Sequence, residues 1–284
     1  MDTDWEWDES LFSGAAAHYR RGRLPYAPGL ADALTEALAL DGRGRLLDVG
    51  CGPGTVALTL AHSFGEVVGV DPDSGMLTEA ARDAAAAGVA DRTRWVRIRA
   101  EELPAGLGTF TVVTFAQSFH WMDRDLVAAT VRDMLRPGGA LVHISDLKTE
   151  DLSVVGLPHP AVPQEAIGEL VRRYLGPVRR AGRGVLPHGT PGGEAAVFAR
   201  AGLHGPRRLA VPAGQALERT VDDVVAAVFS LSSSTPHLFG AHRDAFEADL
   251  RRLLKAASLS GRFSERRPST EAVVWRKDPP ESTL

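Results

Sequence analysis

Apolar residues recur at helical spacing over residues 30–40, stop at Gly42 and Gly44, and return as a short apolar run over 45–50. That pattern predicts helix, turn and buried strand. Residues 55–64 read as a helix, 67–70 as a second strand, and 75–87 as an Ala-rich helix closed by Gly88. Residues 95–99 alternate like a third strand, 110–116 are β-branched and aromatic, and 124–135 are amphipathic. Arg136, Pro137, Gly138 and Gly139 then turn the chain into a strand over 140–145. Strands alternating with helices imply an α/β fold, a doubly wound and mostly parallel sheet covered on both faces.

The second half is less regular. A helix is expected over 161–175, then an Arg/Gly-rich loop through Arg179, Arg180 and Arg183, turn residues over 187–193, and a helix ending over 197–201. Residues 209–211 and 272–275 are candidate strands, and two helices, 221–231 and 242–257, lie between them. Neither helix pair buries a full core alone, so this insertion reads as a helical lid and not as an independent domain. The organisation expected is an N-terminal helical cap segment over 1–40, a ligand-binding core over 41–146, the rest of the α/β core over 147–220, the lid over 221–260, and the last strand with a tail over 261–284.

Composition narrows the partners. The 284 residues are 44% hydrophobic and 24% charged with a formal net charge of −4, which is ordinary for a globular chain and supplies no field that gathers nucleic acid or an anionic membrane. A small-molecule substrate is the expected partner, with no nucleic acid and no membrane. A lone cysteine, Cys51, makes no intramolecular disulfide, and no Cys/His cluster has zinc spacing, so no metal is expected. The acidic, Trp-bearing start differs from a signal peptide, and no apolar run approaches a membrane span, so the cytoplasm is the expected compartment.

The chemistry concentrates in Leu46-Leu47-Asp48-Val49-Gly50-Cys51-Gly52-Pro53-Gly54-Thr55, a strand running through a glycine-rich turn into a helix. Glycines there let backbone pass close to a ligand and present N–H groups. Asp71 closes the next strand 21 positions after Gly50, where a carboxylate can accept both hydroxyls of a ribose. No Gly-Lys-Ser/Thr follows Gly54, which removes a P-loop. A dinucleotide fingerprint would read G-x-G-x-x-G, whereas this turn reads G-x-G-x-G with Asp48 two residues ahead. A buried acid facing the ligand suits a cation better than a pyrophosphate.

With these residues the sequence resembles the class I S-adenosylmethionine-dependent methyltransferases, closely over residues 12–145 and in layout beyond. Residues 46–55 look like their first motif, 67–73 like their second strand and ribose acid, and Ala100-Glu101-Glu102-Leu103-Pro104 like their adenine-side loop. The stretch 110–123, with Gln117-Ser118-Phe119-His120-Trp121, resembles a small-molecule subgroup related to trans-aconitate methyltransferase. Leu135-Arg136-Pro137-Gly138-Gly139 matches the usual turn into the fifth strand. The resemblance implies a Rossmann-like fold and methylation of O, N or C on a metabolite, with S-adenosyl-L-methionine as cofactor and S-adenosyl-L-homocysteine as product. It implies cofactor contacts from Asp48, Gly50, Gly52, Gly54, Asp71, Pro72, Met76, Ala100, Glu101, Ala116 and Gln117. Tyr19, Arg23 and Tyr26 look like a Y-x-x-x-R-x-x-Y segment folded over the cofactor, with Tyr19 and Arg23 on its side and Tyr26 toward the substrate. One departure is Arg99, where many relatives carry Asp, so the adenine contact is expected from the Ala100 backbone and the Glu101 side chain. A homodimer is compatible with this family.

Each assignment has a plainer rival. Cys51 has no evident base and reads as a small buried thiol. Asp48 could cap local backbone, and Glu102 reads as a solvated neighbour of Glu101. His120 and Trp121 follow the fourth strand, where α/β sheets bind ligands; the substrate pocket is expected from Tyr26, His120, Trp121 and His237, against a core Trp with a surface His. His120 is the candidate base, because imidazole accepts a proton near neutrality. Arg172, Arg173, Arg179, Arg180 and Arg183 read as a solvated face, since only Tyr174 is interleaved among them. A nicotinamide oxidoreductase, and a cofactor-bound protein that does not methylate, remain as alternatives.

Overall fold

The computed structural model describes residues 8–147, 153–181, 184–185 and 192–279. Seven strands form the main sheet: β1 (Arg45–Val49), β2 (Glu66–Val70), β3 (Thr93–Val96), β4 (Phe110–Ala116), β5 (Leu135–Asp146), β6 (His204–Val211) and β7 (Thr270–Arg276). Their order is β3-β2-β1-β4-β5-β7-β6. The first five run parallel, and β7 is antiparallel to both β5 and β6. The order reverses between β1 and β4, which opens a crevice at the carboxyl ends of those strands.

Alternation along the strands builds two cores. Leu47 and Val49 of β1 join Val113 and Phe115 of β4 on one face, while Leu46 joins Val112 and Val142 on the other. Asp48 lies in this apolar register and is almost wholly buried.

Several boundaries differ from the sequence pattern for local reasons. The third strand begins at Thr93 and ends at Val96; Arg97 turns away and donates from Nε to the Pro72 carbonyl at 3.1 Å. The expected turn over 136–139 lies inside β5, where Phe110 pairs with Leu135 and Val112 with Ala140, so a register irregularity absorbs the extra residues. The helix expected over 55–64 is Thr55–Leu60, followed by a 3₁₀ turn Ala61–Ser63.

The chain divides into two compact units. The sheet unit comprises Tyr26–Lys148, Pro191–Ala213 and Ser269–Leu284; the other comprises Met1–Pro25, Thr149–Thr190 and Gly214–Pro268. The helices Val221–Phe229 and Arg243–Ala257 do interrupt the chain between β6 and β7. They share a core with the helix Gln164–Leu175, through Ile167, Leu170, Val224, Phe229, Phe246, Leu250 and Phe263. The simple lid and the linear segmentation expected from sequence therefore give way to a unit with its own core, assembled from three stretches of chain. The helix Ala16–Gly22 packs in that unit, because Gly22 lets it approach the Ala226 backbone, which an added Cβ would meet at 2.4 Å. Buried Arg219 secures the contact, donating to the Gly22 carbonyl at 2.7 Å and the Asp223 carbonyl at 3.1 Å and pairing with Glu265 at 3.4 Å. An N-terminal helical segment is expected from the sequence, without the bounds of this helix; the antiparallel ribbon Ala216–Thr220 with Arg262–Arg266 gave no signal in the sequence pattern.

Candidate functional site

The turn after β1 and the acid after β2 form one hydrogen-bonded structure in the sheet unit. The Gly50 and Cys51 amides donate to the Val70 carbonyl at 2.9 and 3.1 Å, and the Gly54 amide donates to the Cys51 carbonyl at 3.0 Å. The Gly52 amide donates to Asp71 Oδ2 at 2.8 Å, and the Asp73 amide to Oδ1 at 2.9 Å. The amides that the glycines were expected to present to a ligand are thus consumed within the protein. A cradle for phosphate needs such donors free; this one offers shape and two carboxylates.

The three glycines have different reasons to be glycine. All have positive φ, between +52° and +77°. A Cβ on Gly50 would meet Ser118 Cβ at 2.6 Å, and one on Gly54 would meet the Trp95 ring at 2.7 Å. Only at Gly52 does the Cβ direction open onto empty space, with nothing within 4 Å. Gly50 and Gly54 serve close packing, and Gly52 faces the space a ligand would take.

Asp48 accepts from the Thr114 hydroxyl at 2.7 Å through Oδ1, while its buried Oδ2 makes no hydrogen bond of good geometry among the described residues, the nearby Ala57 amide favouring the charged form only in part. Burial pushes the Asp48 and Asp71 carboxyls up to about 6, and Asp71 adds to the shift on Asp48. A weakly satisfied buried acceptor beside a second acid and an open glycine fits a ligand carrying positive charge and hydroxyl donors. Cys51 is buried and burial raises its thiol well above the ordinary range, which leaves it inert. Met76 is buried on the helix Ser74–Ala86, whose start Asp73 caps by accepting the Met76 amide at 3.0 Å.

On the adenine-side loop, Ala100 is buried at the start of the 3₁₀ turn Ala100–Glu102. The Glu101 side chain, expected to contact adenine, is engaged by protein: Oε1 accepts the Asp123 amide at 2.9 Å, and Oε2 lies 3.3 Å from Arg99 Nε. It braces the loop against the start of the helix Arg124–Met134. Glu102, expected to be simply solvated, is exposed and also accepts the Arg99 amide at 2.6 Å.

Ala116 ends β4, and Gln117 follows with φ +55°, a conformation that side chains rarely adopt. Its amide donates to the Ile144 carbonyl at 3.2 Å, and its side-chain amide donates to Asp146 Oδ2 at 3.5 Å. Asp146 was not singled out from sequence; it closes an ordinary strand pattern, and only the register of β5 against β4 brings it to Gln117. His120 and Trp121 lie on the 3₁₀ turn Phe119–Trp121 with ring centroids 4.8 Å apart. Trp121 is buried and His120 partly so. Tyr26 packs partly buried against the sheet core, next to Ala27, whose amide donates to Thr270 Oγ1 at 2.9 Å.

Tyr19, Arg23 and His237 belong to the other unit. There the Arg23 guanidinium lies 5.1 Å from the Tyr19 ring centroid and donates from Nη2 to the Ser230 carbonyl at 2.9 Å. His237 Nδ1 lies 3.1 Å from both the Ser13 carbonyl and Thr235 Oγ1. The loop of Ser232, Ser234 and Thr235 is buried, and Ser234 donates to the Val228 carbonyl at 2.6 Å, returning a hydrogen bond to the preceding helix. Arg172, Arg173 and Arg179 are exposed; Arg183 and the turn residues 187–191 lie outside the described residues.

Residues 46–139 match the protein family described as a methyltransferase domain. An uncharacterized methyltransferase of Mycobacterium tuberculosis is 34% identical over 173 residues, 61% of this chain and 63% of that protein. The 27-O-demethylrifamycin SV methyltransferase of Amycolatopsis mediterranei is 39% identical over 140 residues, 49% of this chain and 52% of that protein. The chain thus spans less than two thirds of these relatives' length. Among solved structures, that of the (4+2)-cyclase SpnF superposes with a TM-score of 0.51 at 22% identity, covering 91% of this chain and 84% of that one. That likeness is one of fold. Among the described residues no helix is long and apolar enough to cross a membrane, and no group of three or more His, Cys, Asp or Glu could hold a metal ion.

Proposed function

We propose, from the match of residues 46–139 to a methyltransferase domain, that the chain is an S-adenosylmethionine-dependent methyltransferase acting on oxygen, nitrogen or carbon of a small-molecule metabolite. The observation that carries the reading is the turn itself: its amides are spent on Val70, Cys51 and Asp71, while Asp48 keeps a buried oxygen without a hydrogen bond of good geometry. Those features favour a sulfonium nucleoside over a pyrophosphate. Asp71 would hold the ribose, since an ionised carboxylate has about four acceptor positions and the two backbone amides occupy only two. Asp48 would face the cationic part of the cofactor, and Gly52 would leave room for it. Pro72, Met76 and the Ala100 backbone would line the adenine side, and Ala116 and Gln117 the methionine side.

Bound cofactor supplies a methyl group already activated by positive sulfur. The protein then has to orient the acceptor, and positioning alone reaches effective molarities of about 10⁵ to 10⁸ M. His120 is the proposed base for an acceptor that arrives protonated; an ionised acceptor needs none. Tyr26 and Trp121 are proposed to shape the acceptor pocket. The reading also proposes a cytoplasmic enzyme, with a homodimer as its oligomer.

A transfer assay with methyl-labelled S-adenosylmethionine and a metabolite extract tests the proposal. Label in a small molecule, with matching release of S-adenosylhomocysteine, is the expected result. The same fold is found in a protein described as a cyclase, so binding without transfer would favour the non-methylating alternative. Binding of NAD in place of S-adenosylmethionine would favour an oxidoreductase.

A further inference from the structure

Between β4 and the helix Arg124–Met134 the chain makes a short crossing that carries His120 and Trp121 on the 3₁₀ turn Phe119–Trp121. Both ends of this crossing are tied to the cradle, within the sheet unit. At its start Ser118 is buried, and its hydroxyl donates to the Val49 carbonyl at 2.6 Å. Val49 ends β1, one residue past Asp48, whose pairing with Thr114 is the last between β1 and β4; the hydroxyl continues the contact between the two chains beyond the ladder. The crossing also sits directly on the glycine turn. A Cβ on Gly50 would stand 2.6 Å from Ser118 Cβ and 3.0 Å from Met122 Cε, so its absence makes the seat for both. The Ser118 carbonyl accepts the Trp121 amide at 3.0 Å and closes the 3₁₀ turn. At the far end the Asp123 amide donates to Glu101 Oε1 at 2.9 Å, from the loop that follows β3.

We propose that Ser118 and Glu101 are positioning residues for the transfer step, holding the turn that bears His120 and Trp121 at a fixed distance and angle from the cradle; this rests on the methyl-transfer reading above. A donor at one end of the crossing and an acceptor at the other fix two points, so the turn between them cannot swing as a free loop would. Neither residue has to touch cofactor or acceptor. In-line displacement is sensitive to such placement, since a shift of about 1 Å can cost about 10²-fold in rate. Cofactor affinity rests on other contacts: Asp48 is held by Thr114, and Asp71 by the Gly52 and Asp73 amides. Loss of Ser118 or Glu101 is therefore read in transfer and not in binding.

The test uses the full chain, with S-adenosylhomocysteine as the binding probe and a metabolite extract with saturating methyl-labelled S-adenosylmethionine for transfer. Ser118→Ala and Glu101→Ala are each expected to slow initial incorporation at least about tenfold, while S-adenosylhomocysteine affinity stays within about threefold of wild type. Glu101→Gln keeps an oxygen that can accept the Asp123 amide and is expected to recover most of the rate. That rescue, and the split between rate and affinity, are results that a general loosening of the fold would not give. Amide hydrogen exchange is expected to quicken over residues 119–123 in both alanine variants and to stay at the wild-type level in β1 and β2. Full-rate incorporation by either alanine variant, a loss of S-adenosylhomocysteine affinity as large as the loss of rate, or Glu101→Gln as slow as Glu101→Ala would each overturn the proposal. If Ser118→Ala does not fold, the two Glu101 variants decide by the same criteria. Wild-type protein that binds S-adenosylhomocysteine yet labels nothing in the extract would overturn the methyl-transfer reading itself, and the positioning roles with it; a labelling wild type with unaffected variants would overturn the positioning roles alone.

Discussion

The Gly52 amide donates to the Asp71 carboxylate at 2.8 Å, so the turn after β1 and the acid after β2 hold each other in place. A residue proposed to bind ribose is also the acceptor that shapes the turn beneath the ligand. Loss of Asp71 should therefore act twice, on the ligand and on its cradle.

Asp71→Ala removes the acceptor for both the Gly52 and Asp73 amides as well as the ribose contacts. Charge-assisted hydrogen bonds contribute about 1.5 to 3 kcal/mol, so S-adenosylhomocysteine affinity should fall by about 10- to 100-fold or more. A lower unfolding temperature should accompany it. Calorimetric titration and a thermal melt check both; unchanged affinity would remove Asp71 from the site.

The glycines should separate by variant. Gly52→Ala points its Cβ into open space but keeps a left-handed backbone at φ +52°, so it should lose about 1 to 2 kcal/mol of stability. It should still fold with weakened binding, and Gly52→Val should abolish binding. Gly54→Ala drives a Cβ to 2.7 Å from the Trp95 ring, so its defect should appear as lost stability. Melting curves recorded beside ligand titrations distinguish the two patterns.

Acid should stabilise the unliganded protein relative to its Asp48 variant. Asp48 titrates at about 6 in the fold because burial disfavours its charge, against 3.8 ordinarily. A carboxyl with a raised folded pKa contributes stability that is present below about 4 and lost as pH rises through about 6. A displacement of this size corresponds to about 2 to 3 kcal/mol. Asp48→Asn should thus be more stable than wild type in urea at pH 7.5, the difference should shrink to about a third at pH 4.5, and the two should converge only below about pH 4. A difference that stays constant over that range would show that Asp48 ionises normally. The variant should bind S-adenosylmethionine more weakly, having lost the charge facing the sulfonium.

His120→Gln should lower turnover by about 10² to 10⁴ if imidazole takes the acceptor's proton, while S-adenosylhomocysteine affinity stays near wild type. Steady-state rates and calorimetry on one preparation check this. Full turnover would leave His120 as a wall of the pocket.

The sheet up to β5 was legible because each element there is local. A buried strand reads as an apolar run, and the glycine turn with Asp71 follows from spacing along 25 residues or so. What the sequence hid depends on tertiary partners. The bounds of the helix Ala16–Gly22 were not legible, since Gly22 at its end matters only because Ala226 lies against it. The insertion's core is pooled from Ile167, Phe229, Phe246 and Phe263, residues too far apart for any periodicity to join. At the site, Glu101 reads from sequence as a ligand contact, whereas the fold gives its carboxylate to Asp123 and Arg99. Asp146 gives no sequence signal, since its meeting with Gln117 depends on the β4–β5 register.

Calorimetric titration of the full chain with S-adenosylhomocysteine, and separately with NAD, tests the central claim that the turn and its two acids form a cradle for a sulfonium nucleoside. Saturable one-to-one binding of S-adenosylhomocysteine, absent in Gly52→Val, and no binding of NAD is the result expected. Binding of NAD with none of S-adenosylhomocysteine, or S-adenosylhomocysteine affinity untouched by Gly52→Val, would contradict it.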